Sequence, residues 1–336
     1  MFIHLIIYLV VILTTNIDSE KHKGFTWVGQ HRISSEDFLP LTETNANWIS
    51  LIPFAYMRNH NSSKVNMANN VTYYWGESDK GIITSAQYAK DHGLKIMLKP
   101  QIWLINMSEG QWRGTIRMDT EKEWNEWFAS YELFIIHYAK MAEEYSYEAF
   151  CIGTELHLAA KYHPDKWRAL IKKIRSVYNG ELTYAANWSQ EFRDVSFWDE
   201  LDFIGIQAYF PLSQKTTPSV EELVLGWESH KQQIRNVSKQ YKKDVIFTEI
   251  GYKSSVDAAI EPWIWPSQAD RSLSKISLQT QSNCYEAFFK VFWHEKWFLG
   301  VHFWEWYPKN NDAGGPSDFG FTPQNKPAIE TLKRWW

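Results

Sequence analysis

Residues 149–156 read AFCIGTEL: five apolar or small residues, then a threonine, a glutamate and a leucine. The run has no alternation of polar and apolar positions, so it fits a strand buried on both faces, as in a parallel sheet. On its N-terminal side, Trp124, Trp127, Phe128, Tyr131, Phe134, Ile135, Tyr138 and Ala142 recur at helical spacing, one wide apolar stripe against a charged back. On its C-terminal side, Pro164 suits the first turn of a second helix. Trp167, Leu170, Ile171, Ile174 and Tyr178 form that helix's stripe, and Gly180 stops it. A helix, a doubly buried strand and a helix are the repeating unit of an α/β fold.

Seven further runs of the same character flank this one: Phe25–Gly29 (FTWVG), Trp48–Tyr56 (WISLIPFAY), Leu94–Trp103 (LKIMLKPQIW), Leu182–Trp188 (LTYAANW), Leu201–Tyr209 (LDFIGIQAY), Asp244–Tyr252 (DVIFTEIGY) and Phe298–Trp306 (FLGVHFWEW). Residues 220–241, 283–295 and 326–334 supply further helices. Eight β/α units within 336 residues, with no Pro/Gly/Ser-rich linker, predict one (β/α)₈ TIM barrel over residues 20–336. Both chain ends should then lie near the strand pair that closes it. The competing doubly wound sheet lacks its Gly-x-Gly-x-x-Gly turn after the first strand.

Leu5–Leu13 (LIIYLVVIL) is nine apolar residues, too short to span a bilayer and of the length of a secretory signal core. Residues 1–19 are therefore read as a signal peptide and the protein as secreted, the alternative being a buried N-terminal strand. No later segment is apolar enough for a membrane span, so no membrane association is expected after signal removal. Five Asn-x-Ser/Thr sequons, at Asn61, Asn70, Asn106, Asn187 and Asn236, suit that destination. Cys151 and Cys284 are read as unpaired thiols. A net charge of −4 without a basic cluster argues against nucleic acid as a partner. Nineteen Trp, 17 Tyr and 19 Phe exceed what a core needs and point to flat ligands, sugars foremost.

In a barrel of this kind the chemistry sits at the C-terminal ends of the strands. Glu155 closes the fourth run and Glu249 the seventh, facing each other across the mouth. A carboxylate after an apolar strand is in that mouth or buried unpaired, which is unfavourable, and each glutamate taken singly could also be a buried ion-pair partner. Two facing carboxylates are what glycosidic bond cleavage requires. Gln101 and Trp103 close the third run, Arg58 follows the second, and Asn187 and Trp188 close the fifth, all at mouth positions where a sugar could be met, with Arg58 and Gln101 open between substrate contact and orienting the glutamates. Trp263, Trp265 and Trp306 are open between sugar stacking and loop anchoring, whereas Trp124, Trp127 and Trp167 belong to the core. In the last run Trp304 shares a face with His302, and the phase that turns both inward places Trp304 under the substrate. His157 and His163 near Glu155 suggest a metal, but no His-Glu-x-x-His or Cys-x-x-Cys set occurs. No Gly-x-Ser-x-Gly elbow occurs either. No cofactor is expected. The partner is a β-linked oligo- or polysaccharide, met by a monomer. A non-catalytic sugar-binding barrel would keep the aromatics but has no need of both glutamates.

The segments IGTEL, TEIGY and GFTPQNKPA, with Glu155, Glu249 and Trp304 on the fourth, seventh and eighth strands, resemble glycoside hydrolase family 113, the β-mannanase family of the clan A retaining enzymes. The resemblance runs from Phe25 to the C-terminal helix. It implies that Glu155 is the acid/base, Glu249 the nucleophile and Trp304 the sugar platform, with Tyr209 hydrogen-bonded to the nucleophile and β-1,4-mannan or manno-oligosaccharide as substrate. Many clan members carry Asn before the acid/base. Thr154 stands there in this chain, so contact with the sugar 2-hydroxyl is expected to differ or to fall to Asn187.

Overall fold

The computed structural model describes residues 20–29, 31–67, 74–265 and 275–336. The apolar run Leu5–Leu13, read as a signal, and the sequon at Asn70 lie outside them. The strands are β1 (His22–Trp27), β2 (Trp48–Leu51), β3 (Phe54–Met57), β4 (Asn66–Met67), β5 (Lys95–Leu98), β6 (Gln101–Leu104), β7 (Ala149–Thr154), β8 (Glu181–Asn187), β9 (Ile204–Gln207), β10 (Val245–Ile250) and β11 (Phe298–Trp306). The α-helices are α1 (Leu39–Thr42), α2 (Asp79–Asp91), α3 (Glu121–Glu144), α4 (His157–Tyr162), α5 (Pro164–Arg175), α6 (Glu191–Asp194), α7 (Val220–Tyr241), α8 (Leu278–Phe292) and α9 (Ala328–Trp335).

Eight strands close a barrel in the order β1-β2-β5-β7-β8-β9-β10-β11, each pairing parallel to the next and β11 returning to β1. All eight apolar runs supply a barrel strand. Two of them supply more than one. Pro53 and Pro100, which lack an amide N–H, divide the second and third runs, and their second halves leave the barrel as β3 and β6. These two pair in parallel and carry β4 on the free edge of β3, forming a small separate sheet. Pairing continues across the break, where Lys99 N–H donates to Leu51 O and Gln101 N–H to Pro53 O, both at 2.9 Å.

The helices follow from their caps. Thr120 and Glu123 form a capping box that starts α3, and Ser219 with Glu222 does the same for α7. Pro164 opens α5 as the sequence predicts. The helix predicted over 283–295 begins earlier, at Leu278, because the Ser277 side chain accepts the Thr280 N–H there. The aromatic stripe of α3 is buried, and Trp127 and Trp167 are wholly so, as the helical spacing predicts.

The barrel interior is packed. Trp48, Met97, Ala149, Phe203 and Ile246 fill its lower end. Above them His22 stacks on Trp48 at 3.7 Å, and His302 Nδ1 is hydrogen-bonded with Ser50 Oγ, 2.7 Å away. Gly24 makes room for this arrangement, since a Cβ there would lie 2.6 Å from the His302 ring. Trp304, two residues beyond inward-facing His302, joins Ile52 and Phe321 at the top, so the inward phase is the observed one. Trp306 packs on Phe25 at 4.7 Å and belongs to the core. The C-terminal residue returns to the closing pair: Trp336 O accepts Lys23 Nζ at 3.1 Å, and its ring packs on Phe25 and Phe303. Cys151 and Cys284 are both buried and unpaired.

Candidate active site

The C-terminal ends of the barrel strands open into a cleft of about 920 Å³. Glu155, Glu249, Asn187, Trp188, Tyr209, Gln101, Trp103 and Trp304 all line it, so the structure brings together eight of the nine residues the sequence singled out. Arg58 is the correction. Once Pro53 has turned the second run out of the barrel, Arg58 follows β3 in the outer sheet, where it is exposed and lines no part of the cleft. Asn187, which also begins a sequon, lies buried in this cleft with its side-chain amide turned to Glu155.

Glu249 stands in the last turn of β10, with its carboxyl group surrounded by donors. Lys99 Nζ pairs with Oε1, Gln101 Nε2 reaches the same oxygen at 3.3 Å, and Tyr209 OH donates to Oε2 at 2.9 Å. Lys99 is wholly buried and gives a second hydrogen bond to Thr248 O at 3.2 Å. Burial, with Glu249 adding to it, holds the Tyr209 phenol well above its ordinary range, so it remains a donor.

Glu155 follows β7 in the left-handed region, at φ 54°. Asn187 Nδ2 donates to its Oε1 at 2.8 Å, and Arg113 Nε lies 3.9 Å from Oε2. Burial raises the Glu155 carboxyl above its ordinary range. The Arg113 guanidinium opposes that rise, and the charge of Glu249 adds to it. Arg113 also donates to Gln101 Oε1, so a chain of polar contacts runs from Glu155 through Arg113 and Gln101 to Glu249. Thr154 is buried with its hydroxyl turned to Pro100 O at 3.3 Å. The amide of Asn187, and not Thr154, meets Glu155.

Trp304 forms part of the cleft wall, with Trp265 standing edge-on to it at 5.8 Å. Trp188 stacks on Trp263 at 4.9 Å and 22°. Trp263 and Trp265, left open by the sequence, thus face the cleft, half-exposed. Lys99 and Arg113 are the two groups that sequence reasoning missed. Lys99 had a signal, because Lys-Pro inside an apolar run marks the true end of the barrel strand. Arg113 lies on the Arg113–Thr115 turn and had none.

Buried titratable groups around the barrel set a pH dependence of stability. Burial pushes Glu191 up to about 8, against hydrogen bonds from Tyr184 and Asn187 N–H, and pushes Glu305 up to about 7. It pushes His22 down to about 3, with Lys95 adding to the drop, and His302 well below its usual range, with His22 and Lys99 adding. The two carboxyls keep their protons in the fold, so their contribution is complete below the unfolded value of 4.5 and is lost as pH rises through 7 to 8. The histidines have the opposite sign. Neutral in the fold, they contribute fully above 6.5 and lose that contribution as pH falls toward 3. Above about pH 6.5 the histidines gain nothing further while the carboxyls lose their protons, so the unfolding free energy in urea is expected to fall as pH rises from there to 8. A flat or rising profile over that interval would contradict the account.

Among the described residues no helix is long and apolar enough to cross a membrane. The model of Glycoside Hydrolase Family 113 matches residues 22–326. Among solved structures, the family 113 β-mannanase AaManA from Alicyclobacillus acidocaldarius, in complex with ManMIm, is 29% identical with a TM-score of 0.79, over 94% of this chain and 96% of its own. A family 113 β-1,4-mannanase solved as a complex is 30% identical with a TM-score of 0.78, over 94% and 98%. A β-glucuronidase from Ruminococcus gnavus shares the fold alone, at 15% identity and a TM-score of 0.61. A search of curated proteins found no match. With the family model spanning nearly the whole barrel and two glutamates in its mouth, the chain belongs to glycoside hydrolase family 113 and is a glycoside hydrolase.

Proposed function

We propose that the protein is a retaining hydrolase of β-1,4-linked mannan or manno-oligosaccharides, with Glu249 as nucleophile and Glu155 as acid/base. The observation that carries the reading is the contrast between the two carboxyl groups in one cleft. Glu249 is fixed in place by a buried ammonium, a phenol and an amide, as an attacking carboxylate needs to be. Glu155 is raised by burial and by its neighbour's charge, a setting that favours the protonated form a general acid needs.

In this scheme Glu155 protonates the departing glycosidic oxygen while Glu249 attacks the anomeric carbon. Glu155 then takes a proton from the water that releases the sugar. Tyr209 and Gln101 orient Glu249, Asn187 orients Glu155, and Trp304 lies beneath the sugar ring. Mannose as the sugar is supported by the family and by the β-mannanases among the similar structures. Secretion is supported by the Leu5–Leu13 run.

The test is a panel of β-linked manno-, gluco- and xylo-oligosaccharides with the product anomer read by NMR. Turnover of the manno series to the β anomer is expected. An initially inverted product refutes the mechanism, and turnover of the gluco or xylo series alone refutes the substrate. Trp304→Ala should lower kcat/KM at least tenfold, since one flat ring on an aromatic is worth about 1–3 kcal/mol and each 1.36 kcal/mol is a decade. Its thermal midpoint should move only modestly. Loss of the fold with no separable catalytic defect would assign Trp304 to packing against Ile52 and Phe321.

A further inference from the structure

Glu191 takes no part in the chemistry above, yet it is wholly buried behind the cleft, at the start of α6. Its two carboxyl oxygens serve two different donors. Tyr184 OH donates to Oε1, and the backbone N–H of Asn187 donates to Oε2 at 2.7 Å. Tyr184 OH in turn accepts the N–H of Leu156 at 2.7 Å. Leu156 follows Glu155 directly, and Asn187 is the residue whose amide holds Glu155 Oε1. One carboxyl group, through one phenol, thus ties the chain just after Glu155 to the chain of Glu155's own partner.

That tie restrains a backbone with reason to relax. At φ 54° Glu155 occupies the left-handed region, where a residue bearing a Cβ is strained and persists only if its surroundings fix it. The Glu155 N–H is held by Ala185 O at 2.9 Å, and the Leu156 N–H by Tyr184. Tyr184 itself cannot move, packed edge-on against Trp167 at 5.3 Å and Phe197 at 5.6 Å. Burying a carboxyl group is unfavourable unless its oxygens are occupied, and both groups that occupy these oxygens bear on Glu155.

We infer that Glu191, acting through Tyr184 and the Asn187 backbone, is a positioning residue that holds Glu155 in its proton-donating pose. The inference rests on Glu155 being the general acid. A misplaced acid slows the departure of a sugar oxygen, which needs a proton. It leaves untouched the departure of dinitrophenolate, which needs none. The experiment therefore compares kcat/KM, which reports transfer of the sugar to the enzyme, for mannotetraose and 2,4-dinitrophenyl β-mannoside. Tyr184→Phe keeps the packed ring, and Glu191→Gln keeps the shape of the carboxyl, which preserves a folded variant if one of the two fails. A circular-dichroism melt checks both.

Mannotetraose hydrolysis is expected to fall at least about tenfold in either variant, the scale of loss from a small misplacement. The aryl mannoside should stay within about twofold of the unaltered protein. An equal fall on both substrates, or no fall on the tetraose in a folded variant, overturns the inference. Glu155→Ala serves as reference. If it shows the contrast and the Glu191 and Tyr184 variants do not, the positioning role alone falls. If Glu155→Ala lacks the contrast, the assignment of the acid falls and the positioning role with it.

Discussion

Glu249→Ala is expected to abolish turnover of manno-oligosaccharides, lowering kcat by at least about 10³-fold, while leaving their binding nearly unchanged. The carboxylate is the atom set that attacks in the proposed mechanism, and without it no covalent intermediate forms. The sugar contacts proposed for Trp304, Trp188 and Asn187 should remain, because the side chains hydrogen-bonded to Glu249 are others, Lys99, Gln101 and Tyr209. Isothermal titration of the inactive variant with mannotetraose checks the binding, and reducing-sugar release checks the turnover. Parallel loss of both would mark Glu249 as a binding group. Survival of turnover within about tenfold would remove it from the mechanism altogether.

Lys99→Met is expected to cost about 3–5 kcal/mol of stability, the range for breaking a buried ion pair from one side, and to silence the enzyme as well. Lys99 is wholly buried and Glu249 is 5% exposed, so removing the ammonium leaves a carboxylate in a dry setting with only Tyr209 and Gln101 as donors. Methionine fills the same volume, so a cavity is not the cause of the loss. The double variant Lys99→Met/Glu249→Gln separates the two accounts. It buries no charge, and its urea midpoint should return most of the way toward that of the unaltered protein. A double variant no more stable than Lys99→Met would show that Lys99 matters for packing and not for charge.

The roles of these residues were legible in unequal measure. Glu155 and Glu249 announced themselves because each ends a run apolar on both faces, where a carboxyl group has nowhere else to go. Trp304 was legible from strand parity with His302, and the parity holds: His302 meets Ser50 inside the barrel and Trp304 lies above it. Arg58 misled for a local reason, since Trp48–Tyr56 reads as one strand unless Pro53 is taken as a break. The same oversight at Pro100 hid Lys99, which closes its barrel strand and points at Glu249, while Gln101 begins the strand beyond it. The αL backbone of Glu155 and its tie to Glu191 left no trace in the pattern of residues.

Sequence by itself determined the eight strands, the order of the helices and the two carboxylates, because burial on both faces, helical spacing and caps are properties of a few neighbouring residues. Only the tertiary structure decided which cation meets which carboxylate. Lys99 and Glu249 are 150 residues apart, Asn187 and Glu155 are 32, and Trp188 meets Trp263 across two different loops. Closing the barrel brings the strand ends into one mouth, and the closure follows from strand twist, tilt and register summed around all eight strands. No local window contains that sum, so the partners of each charge are set by the whole ring and not by any segment of it.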